Sequence, residues 1–277
     1  MPGKNGTDWR ANWATGLGFT VIFCLFAYWL AAGFFYGLET SIYDRGILLT
    51  QAEPSDRVAV IAIDDRSIQN IGRWPWSRDI LAGLIDRLGD AKARVVASTI
   101  LMSERQLDPG LEQLSQLQIL IDELESQQQT AAATSDLSIA LAALRSSLEQ
   151  SIVDIDYDQK LADSIRRAAN VVLPMEFHLG MWLGNPDAPP AEYVSKHALS
   201  GSGRDARQLG GLPADKLIPP IAELGEAAMA IGHLNLNLDD DGRLRSEALL
   251  VNYFGQLYPS LALSIAARSL NLEHSDI

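Results

Sequence analysis

Between residues 13 and 38 the chain carries no Asp, Glu, Lys or Arg and is filled mainly by Leu, Phe, Ala, Val and Trp. About 20 such residues are enough to cross a bilayer, and within hydrocarbon one segment satisfies its own backbone polar groups only as a helix. A cleaved leader has a shorter apolar core, about 7–15 residues, and ends at a small-residue site. This run is longer and closes on Phe34, Phe35 and Tyr36. It therefore predicts a transmembrane helix over residues 14–38, with Trp9 and Trp13 suited to one interfacial belt and Tyr36 and Tyr43 to the other. Lys4 and Arg10 precede the run, whereas Glu39 and Asp44 come after it with only Arg45. The positive-inside bias then puts residues 1–13 in the cytoplasm and everything past residue 38 outside the inner (cell) membrane, in the periplasm or the exterior.

Residues 58–277 are enough for one sizeable domain, joined to the helix by a connector, residues 39–57. In that connector Tyr43, Ile47 and Leu48 can prolong the helix until Pro54 ends it. A formal charge of −13 with no basic stripe argues against nucleic acid as a partner, because such binding needs cations that displace counterions from phosphates. Cys24 is the only cysteine, so neither a disulfide framework nor a cysteine zinc site is available.

Residues 58–63 (VAVIAI) form a short β-branched run of the kind buried in a sheet, and Asp64 and Asp65 stop it. Ser77 is a good N-cap for a helix whose apolar positions Ile80, Leu81, Leu84, Ile85 and Leu88 recur at helical spacing up to Gly89. Residues 94–102 (RVVASTILM) supply a second strand, which would make a right-handed βαβ unit with the first. Two amphipathic patterns lie within residues 109–152, one through Leu111, Leu114, Leu117, Ile121 and Leu124, the other through Leu137, Leu141, Leu144, Leu148 and Ile152. They predict an inserted helical hairpin, packed on its own domain or projecting as a contact arm. Residues 157–169 read as a helix and residues 171–177 as a third strand, and residues 180–213 as a long loop rich in Gly and Pro. A short helix over residues 218–226 comes next. Residues 229–238 and 245–254 read as a hairpin around Asp239-Asp240-Asp241-Gly242, and residues 258–272 as a final amphipathic helix. The fold class is α/β: a mixed sheet flanked by helices, with the hairpin inserted and the membrane helix in front.

Four pieces carry a family likeness. IAIDDRSIQNIGRWPWSRD, DQKLADSIRRAANVVLP, AIGHLNLNLDDDGRLRS and YPSLALSIAARSL run in this order from about residue 58 towards the C-terminus. Together they resemble the type-two CHASE extracellular sensor domain of bacterial transmembrane receptors. The resemblance implies a receptor part that transmits binding of a small-molecule or protein signal to a cytoplasmic output absent from this chain: a cyclase, a cyclic-di-GMP enzyme or a kinase. It implies further membrane helices and that output beyond Ile277, and a homodimer, since such outputs work in pairs. In similar domains an aspartate stands near the end of the second strand; here Thr99 occupies that place and only Glu104 is kept.

The site expected is the strand end with the segment after it: Asp64, Asp65, Arg73, Trp74, Trp76, Arg78, Thr99 and Glu104. Adjacent carboxylates at a strand end must meet donors, a cation, a ligand or solvent. Asp64 and Asp65 either accept N–H bonds from the turn at 66–69 and pair with Arg73 or Arg78, or face a ligand. Trp74 and Trp76 either anchor packing or stack on a ligand ring. Asn237, Asp239 and Asp241 match the opening of a calcium loop, but Ala248 stands where the bidentate Glu belongs, which favours a polar hairpin turn. No HExxH, Asp-x-Asp phosphatase loop, Gly-rich phosphate loop or nucleophile elbow occurs, so no catalytic activity and no cofactor are expected of this chain. The rival reading is a membrane-anchored interaction module that uses the helical hairpin as its contact surface.

Overall fold

The computed structural model describes residues 9–50, 55–106, 108–128, 135–181, 188–199, 210–239 and 241–272. Pro54, the hairpin turn at 129–134, the loop segments 182–187 and 200–209, and Asp240 lie outside the described residues. The chain divides into two compact units, Met1–Asp64 and Asp65–Ile277.

The first unit is dominated by α1, Trp9–Leu49, a single helix of 41 residues that continues through the first part of the connector, as Tyr43, Ile47 and Leu48 suggested. Its apolar side chains are exposed all round: Trp13, Phe19, Ile22 and Trp29 are each at least 65% accessible. Among the described residues no helix is long and apolar enough to cross a membrane, the side chains at 30–34 in the middle of α1 not being among them. Residues 58–63 correct the sequence reading. They form no strand, and Val58 and Val60 are 71% and 87% exposed. β-Branched propensity favours extended backbone, but a strand exists only where a neighbour takes its N–H and C=O groups, and no described residue pairs with this run.

The second unit opens with α2 (Asp65–Ile71), which the sequence reading took for a turn, and α3 (Arg78–Asp90), with Ser77 in the expected N-cap position but without a side-chain capping bond. Then come β1 (Val96–Ala97), the hairpin helices α4 (Pro109–Gln128) and α5 (Ser135–Ile155), α6 (Tyr157–Ala168) and β2 (Val171–Leu179). The remainder is α7 (Glu192–Ser195), β3 (Leu212–Ile218), α8 (Ala222–Ala227), β4 (Ala230–His233), β5 (Leu250–Tyr253), β6 (Gln256–Pro259) and α9 (Leu261–Ser269).

The sheet is mixed and centred on β2, with β1 and β4 parallel to it on either side. Beyond Met175, β3 joins antiparallel, and β5 and β6 extend the sheet from β3. β2 is buried on both faces, hence its nearly unbroken apolar run. Alternate residues separate: Val171, Leu173, Met175 and Phe177 join Leu81, Ile85, Leu161 and Ile165 of α3 and α6, whereas Val172 meets Ala230 and Leu261 under α9. The expected partner of the second strand is thus replaced: β1 runs parallel to β2, not to residues 58–63. β1 is also shorter than residues 94–102. Ser98 N–H still donates to the Val172 carbonyl at 3.1 Å, but the next donor on β2 would be Pro174, which has no N–H. The ladder ends there, and residues 99–106 leave the sheet.

Three other readings change. β3 begins at the last two residues read as the long loop and runs through residues 214–217, for which no element is predicted, to Ile218, its Pro213 paired with Asn252 of β5. β4 and β5 are not a hairpin pair: the intervening arms are joined by the bridge Asn237–Ser246, a turn with Asp239 N to Arg243 O at 3.0 Å, and the Arg245–Asp239 ion pair. The last helix starts at Leu261, because Tyr258 and Pro259 belong to β6, turned back on β5 at Phe254 and Gly255, both with positive φ. That pairing of left-handed residues is what a two-residue hairpin turn requires.

Where β4 meets α9, Gly232 is required: a Cβ there would lie 2.7 Å from the Leu261 Cα and 2.8 Å from the Ser260 carbonyl oxygen. Beside it His233 is fully buried, its Nδ1 accepting from the Asn235 N–H at 3.4 Å. Burial pushes the His233 imidazole down to about 4, opposed by the Leu249 carbonyl. Between pH 6.5 and 4 the unfolded chain therefore takes up a proton that the folded one refuses. His233 should contribute about 3 kcal/mol at pH 7, lost as pH falls from about 6.5 to about 4. Urea unfolding across that range should show this slope in the native chain and a flatter one in His233→Leu.

Candidate functional site

The centre of the site is one side chain, Arg78, the first residue of α3 and 8% exposed. Its Nη1 donates to Asp158 Oδ1, and its Nη2 to the Glu104 carbonyl. Its backbone N–H donates to Gln106 Oε1 at 2.7 Å, and Gln106 N–H donates in turn to Asp158 Oδ2 at 3.0 Å. Asp158 lies in the first turn of α6, where the N-terminal end of a helix favours a negative charge. Asp156 caps that helix, accepting from Gln159 N–H at 3.0 Å. Three segments distant in sequence are thus fastened at one buried ion pair whose donors and acceptors are also hydrogen-bonded to backbone.

Above this anchor lies a cleft of about 380 Å³ lined by Trp74, Pro75, Trp76, Ser77, Arg78 and Leu81 on one wall and by Ile100, Leu101, Met102 and Gln106 on the other. The volume is that of a small-molecule site. The second wall exists because the β1 ladder stops opposite Pro174. Gly72, at φ +124°, ends α2 in a conformation that a side chain rarely adopts, and its carbonyl accepts from Trp76 Nε1 at 2.8 Å. Trp74 and Trp76 stand edge to face, centroids 5.5 Å apart at 76°, across a cis Trp74–Pro75 peptide.

The structure therefore brings Trp74, Trp76, Arg78 and the Glu104 backbone together. Arg78 is held by Asp158, not by Asp64 or Asp65. Asp65 sits in the first turn of α2 and is exposed. Asp64 belongs to the first unit. Arg73 is exposed with no hydrogen bond or ion pair to a described residue. Thr99 is exposed beside Ile100, and the Glu104 side chain is exposed while its carbonyl holds Arg78. Asp158 and Gln106 escaped the sequence reading. The signal for Asp158 was present: it occupies the face of α6 that carries Leu161, Ala162 and Ile165, and an acid on an apolar stripe calls for a buried partner.

The residues weighed as a calcium loop are engaged internally. Arg245 donates from Nη1 to Asp239 Oδ2 at 2.6 Å and from Nη2 to Asp241 Oδ2 at 2.7 Å. The guanidinium holds the Asp241 carboxyl down at about 2. Asn237 is the bridge partner of Ser246. Among the described residues no group of three His, Cys, Asp or Glu is placed to hold a metal ion.

Fold and site define an α/β domain with a ligand-sized cleft at the start of α3. The CHASE2 domain family matches residues 20–277, and the chain belongs to that family of extracellular sensory domains. No curated protein and no solved structure matches the chain.

Removing one partner of the buried pair strands the other charge, so Arg78→Ala and Asp158→Ala should each cost about 3–5 kcal/mol. The apolar double variant Arg78→Met with Asp158→Leu should lose much less than the two single losses combined. Denaturant unfolding of the four proteins checks both expectations; additive losses would mean that the pair is not coupled.

Proposed function

We propose that this chain is the extracytoplasmic sensing part of a membrane receptor, held by α1 in the inner (cell) membrane and switched by occupancy of the cleft at Trp74–Arg78. The observation that carries the reading is the cleft itself, built on the Arg78–Asp158 anchor within a sensory-domain family. The uncharged run at residues 13–38 and the exposed apolar surface of α1 support the membrane anchor. The wall at 100–106 supports a route for the signal. It leads into the start of α4, and its Met102 carbonyl accepts the Ile221 N–H at 2.8 Å just before α8. A ligand that prefers one setting of this wall biases the receptor by its difference in affinity for the two settings, and by no more.

A second reading, contact with another copy of the chain, is favoured by the helical hairpin. Ile121, Leu141 and Leu148 are buried, while Leu117, Leu120 and Leu124 of α4, spaced by three and four, are each at least 50% exposed. Exposed leucines in that pattern suit a helix partner, and a homodimer supplies one.

Two measurements test the proposal. A reporter that is active only outside the cytoplasm, fused after Gln256, should be active; a silent reporter refutes the orientation. In the receptor that carries this chain, Ile100→Trp fills the cleft and should abolish the response while leaving membrane insertion intact. Replacing Leu117, Leu120 and Leu124 by Ser should instead reduce crosslinked dimer; if only this variant alters output, the contact reading replaces the cleft reading.

A further inference from the structure

From the state of each polar group around the cleft we infer that its ligand is an uncharged ring-bearing small molecule, held by stacking on the Trp74–Trp76 pair and by hydrogen bonds to Ser77 and Gln106. The inference rests on the sensing reading and names its ligand class.

Among the described residues Arg78 is the one charged residue in the lining, and its guanidinium donates to Asp158 and to the Glu104 carbonyl. Asp158 already neutralises that guanidinium, and Arg78 is largely buried, so a carboxylate ligand would give up its hydration beside an existing carboxylate for little net attraction. A cationic ligand meets no carboxylate in the lining among the described residues. Charge complementarity therefore selects a neutral molecule.

Two polar groups in the same lining are uncommitted. Ser77 occupies the N-cap position of α3, yet its side chain makes no capping hydrogen bond. Gln106 turns its amide oxygen to the Arg78 N–H at 2.7 Å, which leaves its amide nitrogen, a donor, with no partner among the described residues. A hydroxyl that donates and accepts, next to an amide donor, fits a neutral amide or hydroxyl group on a ring. The rings of Trp74 and Trp76 meet edge to face, and Trp76 is fixed by its bond to the Gly72 carbonyl. They form a rigid aromatic corner, on which a flat ring stacks with little loss of freedom by the protein.

Benzamide, benzoate and benzylammonium share one ring and differ in charge, and their binding to the full chain in nanodiscs can be measured by calorimetry. Benzamide should bind saturably and at least tenfold more tightly than either ion. Ser77→Ala leaves α3 without loss of a capping bond and should weaken benzamide about tenfold. Gln106→Glu keeps the acceptor for Arg78, removes the donor and adds a charge, and should turn the preference towards benzylammonium. Equal or tighter binding of benzoate or benzylammonium by the native chain overturns the inference, as does the absence of saturable benzamide binding, or benzamide affinity unmoved by both substitutions. None of these outcomes touches the sensing reading, which falls instead if the receptor with Ile100→Trp still responds.

Discussion

The structure of the second unit depends on an ion pair removed from water. Taking a guanidinium and a carboxylate out of water is costly, and their attraction offsets that cost only when the geometry is good and the remaining donors and acceptors are satisfied. At Arg78 and Asp158 further hydrogen bonds support the pair: the Glu104 carbonyl accepts from the guanidinium and the Gln106 N–H donates to the carboxylate. The value of such a pair lies in specificity more than in net stability. An apolar seam between α3 and α6 tolerates small slips, because Leu81, Ile85, Leu161 and Ile165 lose little by sliding. A slip by one turn would leave a buried charge without its partner. The pair therefore fixes where α3 starts relative to α6, and with it the position of the tryptophans immediately before α3.

A second constraint comes from backbone groups that a sheet leaves over. Pro174 withholds the N–H that would have continued the β1 ladder, and the chain responds by carrying residues 99–106 out of the sheet. On the other side of β2 the opposite happens. β4 ends at His233, yet the ladder is prolonged by a side chain: Asn235 Oδ1 accepts the Phe177 N–H at 3.0 Å, and its amide nitrogen donates to the Phe177 carbonyl. An amide that offers both a donor and an acceptor imitates a strand residue, so Phe177 stays paired while residues 236–239 and 241–249 leave the ladder. One edge of the central strand is thus opened by a missing donor and the other is closed by a borrowed one. The cleft lies on the opened side.

Helices were legible in the sequence wherever the apolar period was strong. α3, α4, α5 and α6 stand close to where Leu81–Ile85, Leu117–Leu124, Leu141–Leu148 and Leu161–Ile165 put them. Strands were legible only where burial on both faces wrote a continuous apolar run, as in β2. β3 escaped because Pro213, Asp215 and Lys216 interrupt it and one face is half exposed, a composition that favours a loop unless a neighbour supplies the ladder. β6 escaped because Tyr258 and Pro259 suit the first turn of a helix as well as the end of a strand. Residues 58–63 fail in the opposite sense: their propensity is high, but pairing is a property of two segments and only one is written there. At the site, the Trp-Pro-Trp segment and Arg78 were legible as a rigid cluster with charges needing partners. Which acid answered was not, because Asp64 and Asp65 are near in sequence while Asp158 is 80 residues away. Proximity along the chain is a poor guide once a buried charge must be matched, since only an acid on an apolar face is placed to follow it inside.

The sensing role proposed above needs one part that stays and one part that yields, and the two walls of the cleft are candidates for them. The tryptophan wall stays: it is fastened to α3, and α3 to α6, through Arg78. The opposite wall, residues 100–106, is tied through the Glu104 carbonyl, Gln106, the Met102 carbonyl and the ion pair of Arg105 with Glu223. It has left the sheet and so has no ladder to resist displacement. Because two of those four ties run to Arg78 or Asp158, a molecule seated between the walls would act on contacts that hold the second wall to the first. The buried pair and the second wall share the same hydrogen bonds, so in the sensing role proposed above a ligand favouring one setting of that wall would shift backbone leading towards α4.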